Sequence, residues 1–208
     1  VISPLLANIY LHPLDVAIER TGAKMVRYAD DFIIFCDNQE EAERILKEVK
    51  HWMEANGLRL HPDKTSIANL NIGGEGFDFL GYRFQATKST RRITKWPSAK
   101  SLGKLKDKIR RVTKRSNGRG TERIVAEVNK ILKGWFEFFK HSGPTGFNGV
   151  DSWIRQRIRA VFKKRNKRKG VAKGRDFKRW PNSYFENIGL FSLSDAHISL
   201  RQSLWSNC

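Results

Sequence analysis

Two adjacent carboxylates, Asp30 and Asp31, stand in the middle of residues 24–36, KMVRYADDFIIFC, with strand-forming residues on both sides. Met25 and Val26 before them, and Phe32, Ile33, Ile34 and Phe35 after them, predict a β-hairpin whose turn carries both acids. Side by side, two carboxylates repel, and each disfavours ionisation of the other unless cations or solvent share the charge. A divalent cation held by oxygen ligands is one relief, and Mg2+ in particular binds through one or two carboxylates plus substrate phosphates. The alternative is an ordinary Asp-rich turn, since Asp tolerates turn dihedrals and is well solvated. Apolar strands on both sides favour the metal site, because carboxylates that serve phosphoryl chemistry must be held firmly.

Something has to hold that hairpin. Residues 3–20 place Leu5, Leu6, Ile9, Leu14, Ala17 and Ile18 at helical spacing, with Ser3 as the expected cap and Pro4 at the first helical position. This helix is expected to pack under the hairpin. Asn38 is expected to cap a second helix over 39–56, with Ala42, Ile45, Leu46, Val49, Trp52 and Met53 on one face and Gly57 as its stop. Glu40, Glu41 and Glu43 suit its positive end. Residues 58–60 read as a strand leading into the turn 61–65. Residues 73–76 form a turn and no phosphate loop, because no Gly-Lys-Ser/Thr follows them. Phe77, Phe79, Leu80, Tyr82 and Phe84 then alternate as in another hairpin strand.

Near Arg91 the composition changes, and Trp96-Pro97 is expected to be a linker into a helical region. Leu102, Leu105, Ile109 and Val112 form one stripe of a first basic helix. A second, over 121–141, aligns Ile124, Val128, Ile131, Leu132, Trp135, Phe138 and Phe139, a stripe that reads as core more readily than as a base-stacking platform. After a break at 143–146, a third helix from Asp151 is expected to turn Trp153, Ile154, Ile158, Val161 and Phe162 inward, with Arg155, Arg157 and Arg159 on its other faces.

The net charge of +19 is unevenly placed. Residues 1–90 hold 10 Lys+Arg against 13 Asp+Glu, whereas 91–208 hold 30 against 8, so the polyanion signal belongs to the second part. The basic residues there alternate with apolar helical faces, unlike a juxtamembrane block, and this pattern points to nucleic acid more than to a membrane surface. No stretch approaches the roughly 18 to 20 consecutive apolar residues that cross a bilayer, and no signal-peptide pattern opens the chain, so a cytoplasmic protein is expected. Cys36 and Cys208 suggest neither a disulfide framework nor a zinc module.

Tyr28-Ala29-Asp30-Asp31 between apolar strands resembles the signature of reverse transcriptases, and Ala at its second position is similar to the bacterial group II intron enzymes. The residues around it agree in order: Ile2-Ser3-Pro4-Leu5-Leu6-Ala7-Asn8-Ile9-Tyr10-Leu11, then Gly57-Leu58 through Lys64-Thr65, Phe79-Leu80-Gly81-Tyr82 and Gly189-Leu190-Phe191-Ser192-Leu193. The resemblance implies an α+β fold: a partial polymerase palm of antiparallel β-hairpins packed on helices over 1–90, an α-helical thumb/maturase bundle over 91–170, and a C-terminal maturase end segment over 171–208. It implies a site with Asp30 and Asp31 as catalytic metal ligands for two Mg2+ ions, or Mn2+ in their place. Tyr28 and Ala29 would stand beside them, Lys64 near the nucleotide phosphates, and Phe79, Leu80, Gly81 and Tyr82 as primer grip. For Ser3 and Pro4 a capping role, for Lys64 a solvated loop lysine, and for Phe79 and Leu80 simple core packing remain open.

The positions expected to meet nucleic acid are Lys104, Lys108, Arg111, Lys114 and Arg115, together with the run Lys163, Lys164, Arg165, Lys167, Arg168 and Lys169. A flexible solvated tail is the other reading of that run. The implied partners are group II intron RNA, an RNA template with its DNA primer, and deoxynucleoside triphosphates. The family's site also needs an aspartate from an earlier strand. Because the chain opens on Val1 at a family motif, that strand and the fingers are expected upstream, in a second copy, or in a separate chain. Two other functions stay open: an RNA-binding splicing maturase without polymerase activity, and a plain basic nucleic-acid-binding helical domain.

Overall fold

The computed structural model describes residues 2–88, 91–114, 118–143, 146–168, 170 and 172–206. Arg115 and Lys169, both expected to meet nucleic acid, lie outside them. The chain divides into two compact units, Val1–Leu80 and Gly81–Cys208, ten residues earlier than the sequence boundary near 90.

In the first unit, helix α1 (Ser3–Arg20) is followed by strands β1 (Lys24–Tyr28) and β2 (Asp31–Phe35), helix α2 (Gln39–Ala55) and a short strand β3 (Phe77–Phe79). The strands pair antiparallel, with Met25 opposite Ile34, Arg27 opposite Phe32 and Tyr28 opposite Asp31. Period-two alternation therefore puts Met25, Arg27, Phe32 and Ile34 on one face, and Met25, Phe32 and Ile34 on that face pack against Leu11, Leu14 and Ile18 of α1 and Ile45, Val49 and Met53 of α2. A two-stranded ribbon is marginal in water by itself, so this packing is what makes the hairpin stable.

Both ends of α2 follow from local chemistry. The Asn38 side chain accepts from the Glu41 N–H at 2.9 Å, and at the far end Gly57 (φ 69°) lets Leu58 N–H reach the Met53 carbonyl at 2.8 Å. That last bond also explains why 58–60 is no strand. Leu58 is tied back to the helix end, and Leu58 and Leu60 pack on the core from irregular backbone.

The opening of α1 departs from expectation twice. Ser3 is inside the helix, with Ile2 at the cap position and no side-chain cap, because Leu6 N–H already bonds the Ile2 carbonyl at 3.0 Å. Leu5, Leu6 and Ile9 are also largely exposed, at 58–64 %. The packed stretch of α1 begins only at Leu11.

The second unit starts with the antiparallel pair β4 (Tyr82–Ala86) and β5 (Ile93–Pro97). Trp96 and Pro97 are thus strand residues paired with Arg83 and Tyr82, and no linker; proline is tolerated where it ends a strand. Helices α3 (Ala99–Val112), α4 (Thr121–Phe139), α5 (Phe147–Arg165), α6 (Arg175–Arg179), α7 (Asn182–Asn187) and α8 (Leu193–Ser206) follow. Leu105, Ile109, Ile124, Val128, Leu132, Phe136, Ile154, Ile158 and Val161 share one core with Trp180, Phe185 and Leu193, so residues beyond 170 complete the bundle. The α4 stripe is core, as expected, although Phe138 lies exposed beside it. Among the described residues no helix is long and apolar enough to cross a membrane.

Two buried polar residues of α5 correct the sequence expectation. Asp151 lies inside this helix, which starts four residues earlier, and its carboxylate accepts from Leu193 N–H (3.0 Å), Ser194 N–H (2.9 Å) and the Ser192 hydroxyl (3.2 Å), capping α8. Arg159, expected on an outer face, is only 3 % exposed. It stacks on Phe177 and Phe185 and donates to the Trp180 carbonyl and Asn182 Oδ1, fastening the α6–α7 segment to the bundle. Replacing Asp151 with Ala leaves the first N–H groups of α8 without their acceptor. The expected loss is about 1–3 kcal/mol of stability, read as a lower melting temperature with α8 amides losing exchange protection first.

Candidate functional site

The tip of the first hairpin gathers Tyr28, Ala29, Asp30 and Asp31 within one turn. Tyr28 and Asp31 are directly paired across the ribbon, leaving Ala29 and Asp30 as a two-residue turn in which Ala29 has φ 55°. Both carboxylates are exposed, and among the described residues neither makes a hydrogen bond or an ion pair. Two adjacent, unpaired sets of hard oxygen donors fit a hydrated cation such as Mg2+, which keeps much of its water and takes its remaining ligands from phosphates. No group of three or more His, Cys, Asp or Glu side chains stands together among the described residues.

What fixes this tip is a residue that the sequence reading passed over. Arg27 lies on the packed face of the ribbon, its side chain 11 % exposed. Its Nε and Nη2 donate to the two carboxylate oxygens of Asp15 at 2.8 and 2.5 Å. Nη1 donates to Asn8 Oδ1 and to the Ala29 carbonyl, each at 2.9 Å. The Asp15 hydrogen bonds raise the Arg27 pKa above its already high value, so the charge is permanent. Removing either partner would leave the other charge half-buried and uncompensated. The signal was present in the alternation itself, which placed a charged residue on the same face as Met25.

Lys64 sits in the first unit on a turn closed by bonds from its own N–H and that of Thr65 to the His61 carbonyl, with its side chain exposed. The residues expected as primer grip are not a strand centre. Phe79 ends β3, Tyr82 begins β4, and Leu80 and Gly81, with φ 47° and 81°, form the tight turn between. In the second unit the Gly81 carbonyl accepts from Ser98 N–H and Ser101 Oγ, both at 2.9 Å, and a Cβ on Gly81 would stand 3.0 Å from Ser101 Oγ. The Tyr82 ring stacks on Phe138 and packs on Phe139, and its hydroxyl donates to the Phe138 carbonyl; burial raises its pKa. Both residues therefore have a packing role of their own.

The basic positions fall into two groups. Lys104, Lys108 and Arg111, spaced four and three residues apart, share the outer face of α3, and Lys114 follows just past its end. All four are exposed and make no ion pair among the described residues. Like charges at this spacing repel in an isolated helix, a cost that a polyanion removes.

The run at the end of α5 is no flexible tail through Arg168. Lys167 N–H bonds the Lys164 carbonyl at 2.9 Å, and Arg168 N–H bonds the Lys163 carbonyl at 3.1 Å, with Lys167 in the left-handed region (φ 56°). This helix-ending motif usually takes glycine where Lys167 stands. It also divides the run. Lys163 turns inward to Asp176 at 3.2 Å. Arg165 donates to Thr121 Oγ1 at 2.8 Å and to the Arg119 carbonyl. Lys164, Lys167 and Arg168 remain on the surface.

Residues 1–84 match the family model described as reverse transcriptase (RNA-dependent DNA polymerase), and residues 102–180 match that of the group II intron, maturase-specific domain. The comparison with curated proteins finds no match.

The Lys173 N–H, followed by the Lys163 ammonium, holds the Asp176 carboxyl below its ordinary value. A depressed folded-state pKa gives stability that is present above the unfolded value, about pH 4, and is lost as pH falls through the folded one. Melting temperatures followed downward from about pH 6 should fall below pH 4 in the wild type, and Asp176→Asn should flatten that limb while lowering the plateau.

Proposed function

Because the chain belongs to the group II intron-encoded reverse transcriptase/maturase family, we propose that it works in RNA-directed DNA synthesis through Asp30 and Asp31. We further propose that its basic helical unit binds group II intron RNA to assist splicing and mobility. The observation that carries the polymerase reading is the pair of exposed, unpartnered carboxylates at the tip of a clamped hairpin, within the segment matched by the reverse transcriptase model.

Template-directed synthesis joins a primer 3′-hydroxyl to a deoxynucleoside triphosphate. Bound Mg2+, or Mn2+ in its place, would supply Lewis acidity and neutralise charge on the phosphates. Asp30 and Asp31 are the residues of this chain that would hold it. Tyr28, across the ribbon from Asp31, flanks that position on the same face. Lys64 offers an ammonium group for triphosphate oxygens. A two-metal centre takes more carboxylate than these two, and the described residues group no third acid with them. The third is proposed to come from another segment, a second copy or a separate chain.

Lys104, Lys108, Arg111 and Lys114 form a phosphate-neutralising face suited to an RNA template with its DNA primer, because A-form helices are read mostly through backbone and shape. Lys164, Lys167 and Arg168 form a second exposed basic cluster, proposed for intron RNA.

Where a complete catalytic site is present, Asp30→Asn should reduce cDNA synthesis on an RNA template by at least about a hundredfold, some 2.7 kcal/mol of barrier, with RNA affinity unchanged. Synthesis at the wild-type rate would remove the polymerase reading. In filter binding of an RNA/DNA duplex by the 208-residue chain, replacing Lys104, Lys108 and Arg111 with Ala should make the plot of log affinity against log salt shallower by about two to three units. An unchanged slope would take α3 out of the interface.

A further inference from the structure

Arg27 reaches the tip from the face of the ribbon that packs on α1 and α2. Among the described residues its guanidinium donates to three acceptors: the Asp15 carboxylate, Asn8 Oδ1 and the Ala29 carbonyl. Asn8 and Asp15 are seven residues apart, two turns of α1, and so lie on one face of that helix. The helix thus presents two acceptors to a planar fork, and the second N–H of Nη1 is aimed at the peptide group that joins Ala29 to Asp30. That peptide is in an unusual state. Ala29 has φ 55°, a left-handed conformation that a residue with a Cβ adopts at a cost, and the Arg27 bond to its carbonyl is the one side-chain bond to the turn among the described residues.

We infer that Arg27 is a positioning residue for the cation site, locking the Ala29–Asp30 peptide so that the carboxylates of Asp30 and Asp31 converge on one ion. This deepens the metal-binding role proposed above for the two acids and rests on it. The alternative is that Arg27 only joins the ribbon to α1 and does nothing for the tip. The two differ in sign as well as in size. A bare electrostatic account makes Arg27 an obstacle, because a fixed positive charge near the tip repels a second cation, and replacing it with a neutral group should tighten metal binding. A positioning role makes the same replacement weaken binding. Oriented outer partners of metal ligands typically matter by about 10- to 100-fold in affinity.

Lysine in place of Arg27 separates the two further. Arg27→Lys keeps the charge and a contact to Asp15, but a single ammonium cannot also reach Asn8 and Ala29, since only a planar fork presents several donors in fixed directions. Asn8→Ala is a milder change at an exposed position. It leaves the Asp15 pair in place and removes one of the two acceptors that hold Nη1 in line.

The experiment is a Mn2+ titration of the 208-residue chain, following paramagnetic broadening of the backbone amide signals of residues 28–32 by NMR, with thermal melts run on every variant. In the wild type these amides should broaden selectively, and Asp30→Asn should abolish the effect. Arg27→Lys and Arg27→Gln should both weaken Mn2+ binding about tenfold or more, and Asn8→Ala should weaken it by a smaller factor at an unchanged melting temperature. Unchanged affinity in Arg27→Lys, or tighter binding in Arg27→Gln, with the fold intact would overturn the inference and leave the metal-site reading standing. Should both Arg27 variants fail to fold, Asn8→Ala decides: an affinity equal to wild type overturns the inference. If the wild type shows no selective broadening at the tip, the metal-site reading falls first and the inference falls with it.

Discussion

A guanidinium folded beneath a two-stranded ribbon is the interaction on which the first unit turns. Ribbons of two strands rarely hold together alone in water, and this one also carries two like charges at its free end. Apolar packing of Met25, Phe32 and Ile34 on α1 and α2 fixes the ribbon's base. It does nothing for the turn, which lies beyond the core. Arg27 extends the attachment outward from the core to the Ala29 carbonyl, with Asp15 neutralising the charge that makes this possible. A half-buried arginine without that acid would be costly to keep, and an aliphatic residue in its place would leave the turn backbone without its tether.

The second unit shows the same economy in another form. Its large positive charge is not one surface. Arg159 and Lys163 are buried or nearly so, and Arg157 reaches the hydroxyl and carbonyl of Thr113, all three holding helices together. Lys106 and Arg110 lie over the Trp153 ring, joining α3 to α5. What faces solvent includes a spaced row on α3 and a small cluster where α5 ends, together with scattered cations such as Lys100, Lys130, Lys133, Arg175 and Lys178. Net charge counted along the sequence therefore overstates the cationic surface, because it cannot see which cations already have acceptors inside the fold.

That difference marks how much of the molecule could be read before its structure. Periodicity located the long helices from α1 to α5 and the first hairpin, since those signals repeat over many residues, but it did not find α8. It showed which side of α1 is apolar, but not that Leu5 and Ile9 lack a neighbour, because a stripe says nothing of what covers it. The acids at the tip were legible from their adjacency. Arg27 and Asp15 were not, although each falls on a packed face by simple spacing, since their pairing joins residues 12 apart on different elements. The same holds for Asp151, whose partners lie 42 and 43 residues away, and for Lys163, whose acid stands outside the charge run that drew attention to it. Local runs are visible in a sequence, whereas the acceptor that redirects a charge comes from tertiary structure.

Of the four described non-glycine residues with positive φ, three, Ala29, Leu80 and Lys167, sit within stretches singled out for chemistry or binding. Glycine would take the Ala29 conformation without steric cost, but it would also give the unfolded and loosened states of the tip more freedom. Alanine narrows that freedom with the smallest possible side chain, provided something on the folded side offsets the strain, and the bond from Arg27 is placed to do so. A solvent-facing turn with no task would lose nothing by a glycine there. If, as proposed, the tip brings two repelling carboxylates to one cation, it gains from backbone that cannot wander, and a strained alanine tied to a partly buried arginine answers to that requirement.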